Sequence, residues 1–379
     1  MRISYRSEID PFLVMDVVEA ARAAEAAGRH IIHMEVGQPG TPAPAGARRV
    51  LAEAMEKGPL GYTTSLGLPE LRARIARHYA ERHGLDLDPA RVIVTAGASG
   101  AFILAFSALF DAGDRVALGL PCYPSYRQIL RAMDLQPLGI ATNMASRYQP
   151  DPAALPGDVA GLIVASPGNP SGTMLDRAAL SAVIARAQEI GASFISDEIY
   201  HGLDFGQPAV SALEISDDLC VINSFSKYFS MTGWRVGWMV VPERAVRSVE
   251  RLAQNLFICA PHASQVAALA AFECGEELEA NRAVYAKNRE LMLDALPKAG
   301  FSKIAPPDGA FYVYADVGDL TDNSQTLAAE ILAEAGVAVT PGLDFDPERG
   351  KGTLRFSYAA ATADIEEGLA RLAAFMGRR

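Results

Sequence analysis

The chain has 379 residues, half of them hydrophobic, and a formal net charge of -11. That size and apolar share are enough to bury a large core, predict two structural domains and exclude a disordered chain; the acidic balance excludes nucleic acid as a partner, because a phosphate-binding face shows as a basic excess. Cys122, Cys220, Cys259 and Cys274 lack the CxxC or CxxH spacing of a metal site, no apolar h-region follows Met1, and no run is long and apolar enough to span a bilayer, so the reading is a reduced, cytoplasmic chain without a metal or a membrane partner.

Residues 11–28 begin at Pro11, carry Leu13, Val14, Val17, Val18, Ala21 and Ala24 at helical period and stop at Gly28, which predicts a helix. A short strand over 31–36 leads into the proline-broken loop 37–44, whose Gly37 serves equally well as an ordinary turn glycine. A second helix covers 46–57, and the loop holding Tyr62 feeds an amphipathic run that ends near Gly84. Strand 91–95, small-residue turn 96–100 and apolar helix 101–110 follow in an order that aims free backbone N–H groups and a positive helix end at a phosphate. Ala98 and Ser99 would donate main-chain N–H groups there, and the Ser99 hydroxyl either joins them or caps the helix. No G-x-G-x-x-G occurs at this turn, so one phosphate fits it better than a dinucleotide.

Strand 114–118 precedes an aromatic loop with Tyr123, and strand 162–165 precedes Ser166-Pro-Gly-Asn169-Pro-Ser-Gly172. The run 194–200 reads as a strand ending in Asp197, Glu198 and Tyr200, either a site or a solvated strand end; a helix-sized segment and a strand before Lys227 favour the site. Residues 219–222 and 235–241 read as buried parallel strands around a polar loop that carries Lys227. Ligands of such sheets gather beyond the carboxyl ends of the strands, so Lys227 would face a crevice. Helices are expected over 242–251 and 261–272, and a long charged one over 276–296 suits a bridge between domains. Strands surround 306–309, and the last strand, 353–358, carries Arg355.

Ser226-Lys227 followed by Met231-Thr-Gly-Trp-Arg235-Val-Gly237 resembles the signature of the pyridoxal-phosphate (PLP) dependent aminotransferases of the aspartate aminotransferase fold type. The likeness extends, in order, through Tyr62-Thr63, Gly67 and Pro69-Glu70-Leu71-Arg72, then Asn169-Pro170-Ser171-Gly172, Asp197-Glu198-Ile199-Tyr200 and Arg355-Phe356-Ser357-Tyr358-Ala359. It implies an α/β chain of fold type I: a large PLP-binding domain, 46–285, with a mostly parallel seven-stranded sheet, and a smaller α+β domain built from both ends, 1–45 and 286–379. In that resemblance Lys227 holds the cofactor aldehyde as a Schiff base and later moves the proton, which requires an amine whose pKa is depressed by burial and neighbouring cations. Asp197 pairs with the protonated ring nitrogen. Asn169 and Tyr200 meet the 3-oxygen, and Tyr123 stacks on the ring. Ser224, Ser226, Arg235 and the Ala98-Ser99 turn hold the phosphate, while Gly37, Asn169 and Arg355 meet the substrate, Arg355 gripping its α-carboxylate in two parallel bonds. The partners implied are an amino acid and a 2-oxo acid, together with a second copy of the chain whose Tyr62 reaches the phosphate in trans. Asp346 stands where a glycine is usual, which puts the backbone of its loop in question.

Transamination between an L-amino acid and a 2-oxo acid is therefore the first reading, with β-lyase, decarboxylase or synthase chemistry sharing the same constellation. Ser224-Phe-Ser-Lys227 also matches the S-x-x-K of serine hydrolases, but K-T-G and S-D-N partners are missing. A PLP-sensing regulator lacks its DNA-binding module. No second cation for an acidic side chain can be nominated, so broad, aromatic and aliphatic donors stay open.

Overall fold

Seven of the chain's strands lie side by side in one sheet. The computed structural model describes every residue from Met1 to Arg379. In chain order the first strands are β1 (Ile32–His33), β2 (Val92–Thr95), β3 (Arg115–Leu120), β4 (Gln136–Ala141), β5 (Gly161–Ala165), β6 (Ser193–Asp197), β7 (Cys220–Ser224) and β8 (Gly237–Val240). Seven of them form the sheet β2-β8-β7-β6-β5-β3-β4. β3 to β7 pair in parallel, and β8 runs antiparallel to both β7 and β2. The fold is thus α/β with a mostly parallel central sheet, but the expectation that the strand after Lys227 continues the parallel set is wrong. A parallel return needs a crossover, usually a helix. The segment 225–236 holds only the short 3-10 turn Thr232–Trp234, so β8 folds straight back.

Helices cover both faces, as buried parallel strands require. They are α1 (Leu13–Ala26), α2 (Ala45–Lys57), α3 (Pro69–His83), α4 (Gly97–Leu109), α5 (Pro124–Ala132), α6 (Arg177–Glu189), α7 (Glu243–Leu256), α8 (His262–Ala271) and α9 (Gly275–Lys298). A second, four-stranded sheet, β12-β13-β10-β9, is built from β9 (Lys303–Ile304), β10 (Tyr312–Asp316), β12 (Thr340–Pro341) and β13 (Thr353–Ser357). β1 pairs apart from it with β11 (Val337–Ala338), which ties the amino-terminal segment to the carboxyl-terminal part of the chain. α10 (Ser324–Glu330) and α11 (Thr362–Met376) complete the chain. α9 places Leu278 in the apolar core of the seven-stranded sheet and Tyr285, Met292 and Leu296 in the core of the four-stranded one, bridging the two.

Several boundaries depart from the sequence reading for identifiable reasons. The helix expected at Ala101 begins at Gly97, whose φ of +72° suits glycine, so Ala98 and Ser99 occupy the first turn of α4 rather than a preceding loop. The helix-sized segment between Asp197 and Lys227 shrinks to a 3-10 turn, Ala212–Glu214, closed by a Ser211/Glu214 capping box. β4 contains Pro137 and Gly139, which mask it in the sequence; it is tolerated because β4 is the sheet's edge, where a missing N–H costs no ladder bond. Asp346 does not distort its loop. Its buried carboxylate accepts the N–H groups of Glu348 (3.2 Å) and Arg349 (3.0 Å) and pairs with the Arg349 guanidinium at 2.6 Å.

Candidate active site

A cavity of about 220 Å³ opens beyond the carboxyl ends of β6 and β7. Its lining gathers Gly37, Ala98, Ser99, Tyr123, Asn169, Asp197, Tyr200, Ser224, Ser226, Lys227, Arg235 and Arg355 from along the chain. Of the residues nominated by sequence, only Tyr62 lies elsewhere, on the surface and 82% exposed. Its loop is nonetheless anchored, since Gly61 accepts a bond from His262 Nδ1 at 2.7 Å and Gln265 Oε1 accepts the Leu68 N–H at 2.8 Å.

Lys227 follows β7 in a loop pinned by buried Phe225, Phe229 and Met231. Its Nζ donates to the Gly37 carbonyl at 2.6 Å and lies near the rings of Tyr200 and Phe311. Burial is the main cause that brings its pKa down to about 8; the Arg355 and Arg235 charges add to it, against the opposing pull of Asp197. Gly37 is confined to glycine here, because a Cβ would run into the Tyr312 hydroxyl. Ser224 Oγ bonds to Ser226 Oγ at 2.9 Å and to the Val236 carbonyl at 3.4 Å, so it is not paired with the Lys227 amine as an S-x-x-K nucleophile would be.

Asp197 ends β6 at the floor and is 2% exposed. Glu198 is buried as well, which rules out a solvated strand end; it accepts from Ser196, Ser211 and the Ala212 N–H. Burial drives the Asp197 pKa up to about 6, against the opposing pull of Tyr126, the Ile199 N–H and Lys227. The Tyr126 hydroxyl donates to Oδ2, and the Ile199 N–H to Oδ1 at 3.1 Å. Tyr200 Oη and Tyr312 Oη share a bond at 2.8 Å, and burial raises both phenols, so both are protonated donors at neutral pH.

One wall is a row of donors. The first N–H groups of α4 have no intrahelical acceptors, and its N-cap Ala96 offers no side-chain acceptor. Beside them stand the hydroxyls of Ser99, Ser224 and Ser226 and the guanidinium of Arg235, which has a single protein acceptor, the Thr232 carbonyl at 2.9 Å. Arg235 itself is left-handed, φ 52°, ψ 53°, a conformation that costs a non-glycine residue about 1–2 kcal/mol. Gly97 and Gly237 let the pieces close up: a Cβ on Gly97 would strike the Arg235 guanidinium, and one on Gly237 would crowd Asn223 O and Ala98 N. Three hydroxyls, helix-end N–H groups and a guanidinium suit a phosphate dianion, while Tyr123 beside them and the Asp197 carboxylate at the floor suit a flat cationic ring. The residues present therefore fit pyridoxal phosphate.

Arg355, on β13, is sandwiched between the rings of Tyr312 and Phe345, 4.4 and 4.7 Å from their centroids. It donates to Asn169 Oδ1 at 2.9 Å, to Thr340 Oγ1 at 3.2 Å and to the Glu35 carbonyl. Those bonds leave two of its five N–H donors free, including the buried Nε, which has no protein partner. Tyr126, Tyr312, Phe345 and Thr340 were not nominated from sequence, although Pro124 at the first helical position after Tyr123 is a sign that Tyr126 lies on a helix, one turn from Tyr123.

Residues 29–372 match the family model described as aminotransferase class I and II. Over 382 aligned residues the chain is 44% identical to the valine–pyruvate aminotransferase of Mycobacterium tuberculosis, covering 99% of this chain and 98% of that one. It is 35% identical to a (5-formylfuran-3-yl)methyl phosphate transaminase of Methanocaldococcus jannaschii, over 97% of this chain and 98% of that one. A crystal structure from Silicibacter pomeroyi superposes with a TM-score of 0.96 at 68% identity, both chains covered completely.

Proposed function

Because the chain belongs to the class I and II aminotransferases, PLP enzymes that exchange an amino group between an amino acid and a 2-oxo acid, we propose that the cavity at Lys227 is where it does so. When bound, PLP supplies an electron-withdrawing ring that makes the substrate α-carbon acidic. The observation that carries the assignment is the convergence, in one cavity, of a buried amine held near pKa 8, a carboxylate at the floor and an arginine with unspent donors. Lys227 would anchor the cofactor through its aldehyde carbon and, once displaced by the incoming amine, carry the α-proton as a base. Asp197, oriented by Tyr126, would hold a proton on the ring nitrogen; Asn169 and Tyr200 would donate to the ring oxygen. Ala98, Ser99, Ser224, Ser226 and Arg235 would hold the phosphate, with Tyr123 against the ring. The substrate would lie along Gly37 and Asn169, its α-carboxylate on the Arg355 guanidinium. Visible absorption with and without amino acids tests this, followed by a donor screen against pyruvate and 2-oxoglutarate; return of one 2-oxo acid per amino group transferred separates transamination from lyase or decarboxylase chemistry on the same scaffold.

Arg355→Lys should raise KM roughly 10- to 100-fold for amino and 2-oxo acids alike, since an ammonium has three donors in all and cannot hold Asn169, Glu35 and Thr340 and also bind a carboxylate. Amines without a carboxylate should change little in steady-state assays, and unaltered kinetics for every acid would move the clamp elsewhere.

We further infer a homodimer with Tyr62 acting in trans and two domains divided near residues 46 and 285, in a cytoplasmic protein whose four cysteines stay reduced. The surface around the Tyr62 loop supports the dimer: Leu256 and Ile258, 52% and 49% exposed, precede the helix whose His262 holds Gly61. Mixing Lys227→Ala with Tyr62→Ala subunits should restore activity, because one site of the heterodimer then collects both defects and the other neither. The lost phosphate bond, worth roughly 1.5–3 kcal/mol, makes the Tyr62 deficit measurable beforehand. No recovery despite demonstrated subunit exchange would place Tyr62 in its own chain's site.

A further inference from the structure

Part of the cavity wall is the first turn of α1 with its N-cap, whose Phe12, Val14 and Met15 line it together with Ile129. That turn has no cap of its own. Phe12 is the N-cap residue and offers no side-chain acceptor, and the helix buries only Val14 and Ala21 along its length. The orphan N–H groups are instead satisfied from far along the chain: Leu13 N donates to Asp344 Oδ1 and Val14 N to Asp344 Oδ2, both at 3.1 Å. Beside α1 runs a groove of about 380 Å³, lined by Leu13, Val17, Ala20, Ala328 and Leu332 among others. The first turn is thus placed by a distant carboxylate together with the packing of buried Val14.

Asp344 is also tied to the substrate end of the site. Its carbonyl and that of Phe345 accept from the buried Arg127 guanidinium at 2.8 and 2.9 Å, and the Phe345 ring faces Arg355. Phe12 meets the edge of Tyr123 with centroids 6.0 Å apart, so α1 borders the ring pocket directly. The charged groups lining the cavity are Asp197, Lys227, Arg235 and Arg355, and the proposed function uses all four. An acidic donor side chain placed against α1 would lose its water and find no cation in exchange.

Resting on the assignment of this cavity as the transamination site, we propose that Asp344 is a positioning residue that holds the first turn of α1 over the cavity. Phe12, Val14 and Met15 then form the wall that receives the donor's side chain, and that wall selects uncharged, apolar side chains.

The test compares alanine, whose side chain is one methyl, with leucine and phenylalanine as donors. Asp344→Ala should lower kcat/KM for leucine and phenylalanine about tenfold or more, mostly through KM, while alanine changes less than about threefold. Asp344→Asn, which retains one acceptor oxygen, should fall between. Hydrogen exchange over residues 12–20 should quicken in Asp344→Ala while the visible spectrum of the loaded enzyme is unchanged. Phe12→Ala and Met15→Ala should repeat the dependence on side-chain size with Asp344 intact, so the proposal stays testable even if Asp344→Ala folds poorly. Equal losses for alanine and leucine, or unchanged exchange over 12–20, would reduce Asp344 to a structural residue and overturn the proposal. A wild-type enzyme that prefers aspartate or glutamate to every apolar donor would show that a cation reaches the pocket, from a second copy or elsewhere, and would also overturn it. Wild-type enzyme that converts no amino acid overturns the site assignment itself, and the proposal with it.

Discussion

Lys227→Ala enzyme is expected to lose turnover by about 10⁴-fold or more, because the covalent anchor and the proton carrier vanish together. The loss should not be one of folding. Nζ has one hydrogen-bond partner, the Gly37 carbonyl, and the amine resides in a site where burial and two arginines oppose its charge. Noncovalent PLP binding should survive through Ser224, Ser226, Arg235 and the start of α4, so the mutant should still bind PLP but release it on borohydride treatment and denaturation. The wild type offers a pH signature. With a folded pKa of about 8 rather than 10.5, the free-amine fraction of Lys227 rises about tenfold per pH unit up to 8 and then levels. Covalent capture of added PLP by the apo chain should follow that curve. A plateau reached only above pH 10 would mean an unperturbed lysine, and borohydride labelling of any other lysine would remove Lys227 from its role.

Residues whose proposed role rests on one local pattern could be nominated before the fold was known, and the fold brings them to one cavity. Lys227 and Arg235 sit in one loop, Asp197 and Tyr200 at one strand end, and each is recognisable from the run around it. What the sequence hides is partnership between distant elements. Asp344 caps a helix more than 300 residues earlier, Tyr126 orients Asp197 from α5, and Tyr312 shapes the site by crowding Gly37 and stacking on Arg355. None of these contacts has a periodicity to announce it. The same holds for strand direction: the apolar run of β8 is equally compatible with either sense, and only the absence of a crossover helix decides it. Edge strand β4 escapes for the opposite reason, because Pro137 and Gly139 are locally wrong for a strand and become acceptable once the edge position is known.

Asp197→Asn should separate catalysis from stability in opposite directions. In the apo chain burial lifts the carboxyl from 3.8 to about 6. The folded chain therefore holds this proton more tightly than the unfolded chain, so stability falls as pH rises from about 4 to about 6. Above that window the charged carboxylate remains a fixed cost of about 3 kcal/mol. Asparagine removes the charge but offers one oxygen to two donors, Tyr126 Oη and the Ile199 N–H, losing about 1 kcal/mol. The apo mutant should consequently match or exceed wild type in Tm at pH 8 and fall below it at pH 4, the two curves crossing inside the window. Turnover should move the other way, dropping about 10³-fold or more, since an amide carries no charge with which to keep a ring nitrogen protonated; PLP affinity should fall as well. Parallel Tm curves at every pH would mean that Asp197 is already ionised without strain in the apo chain. Near-normal turnover from a folded, PLP-loaded mutant would show that the charge at the cavity floor is not what activates the cofactor, and the role would have to pass to another group.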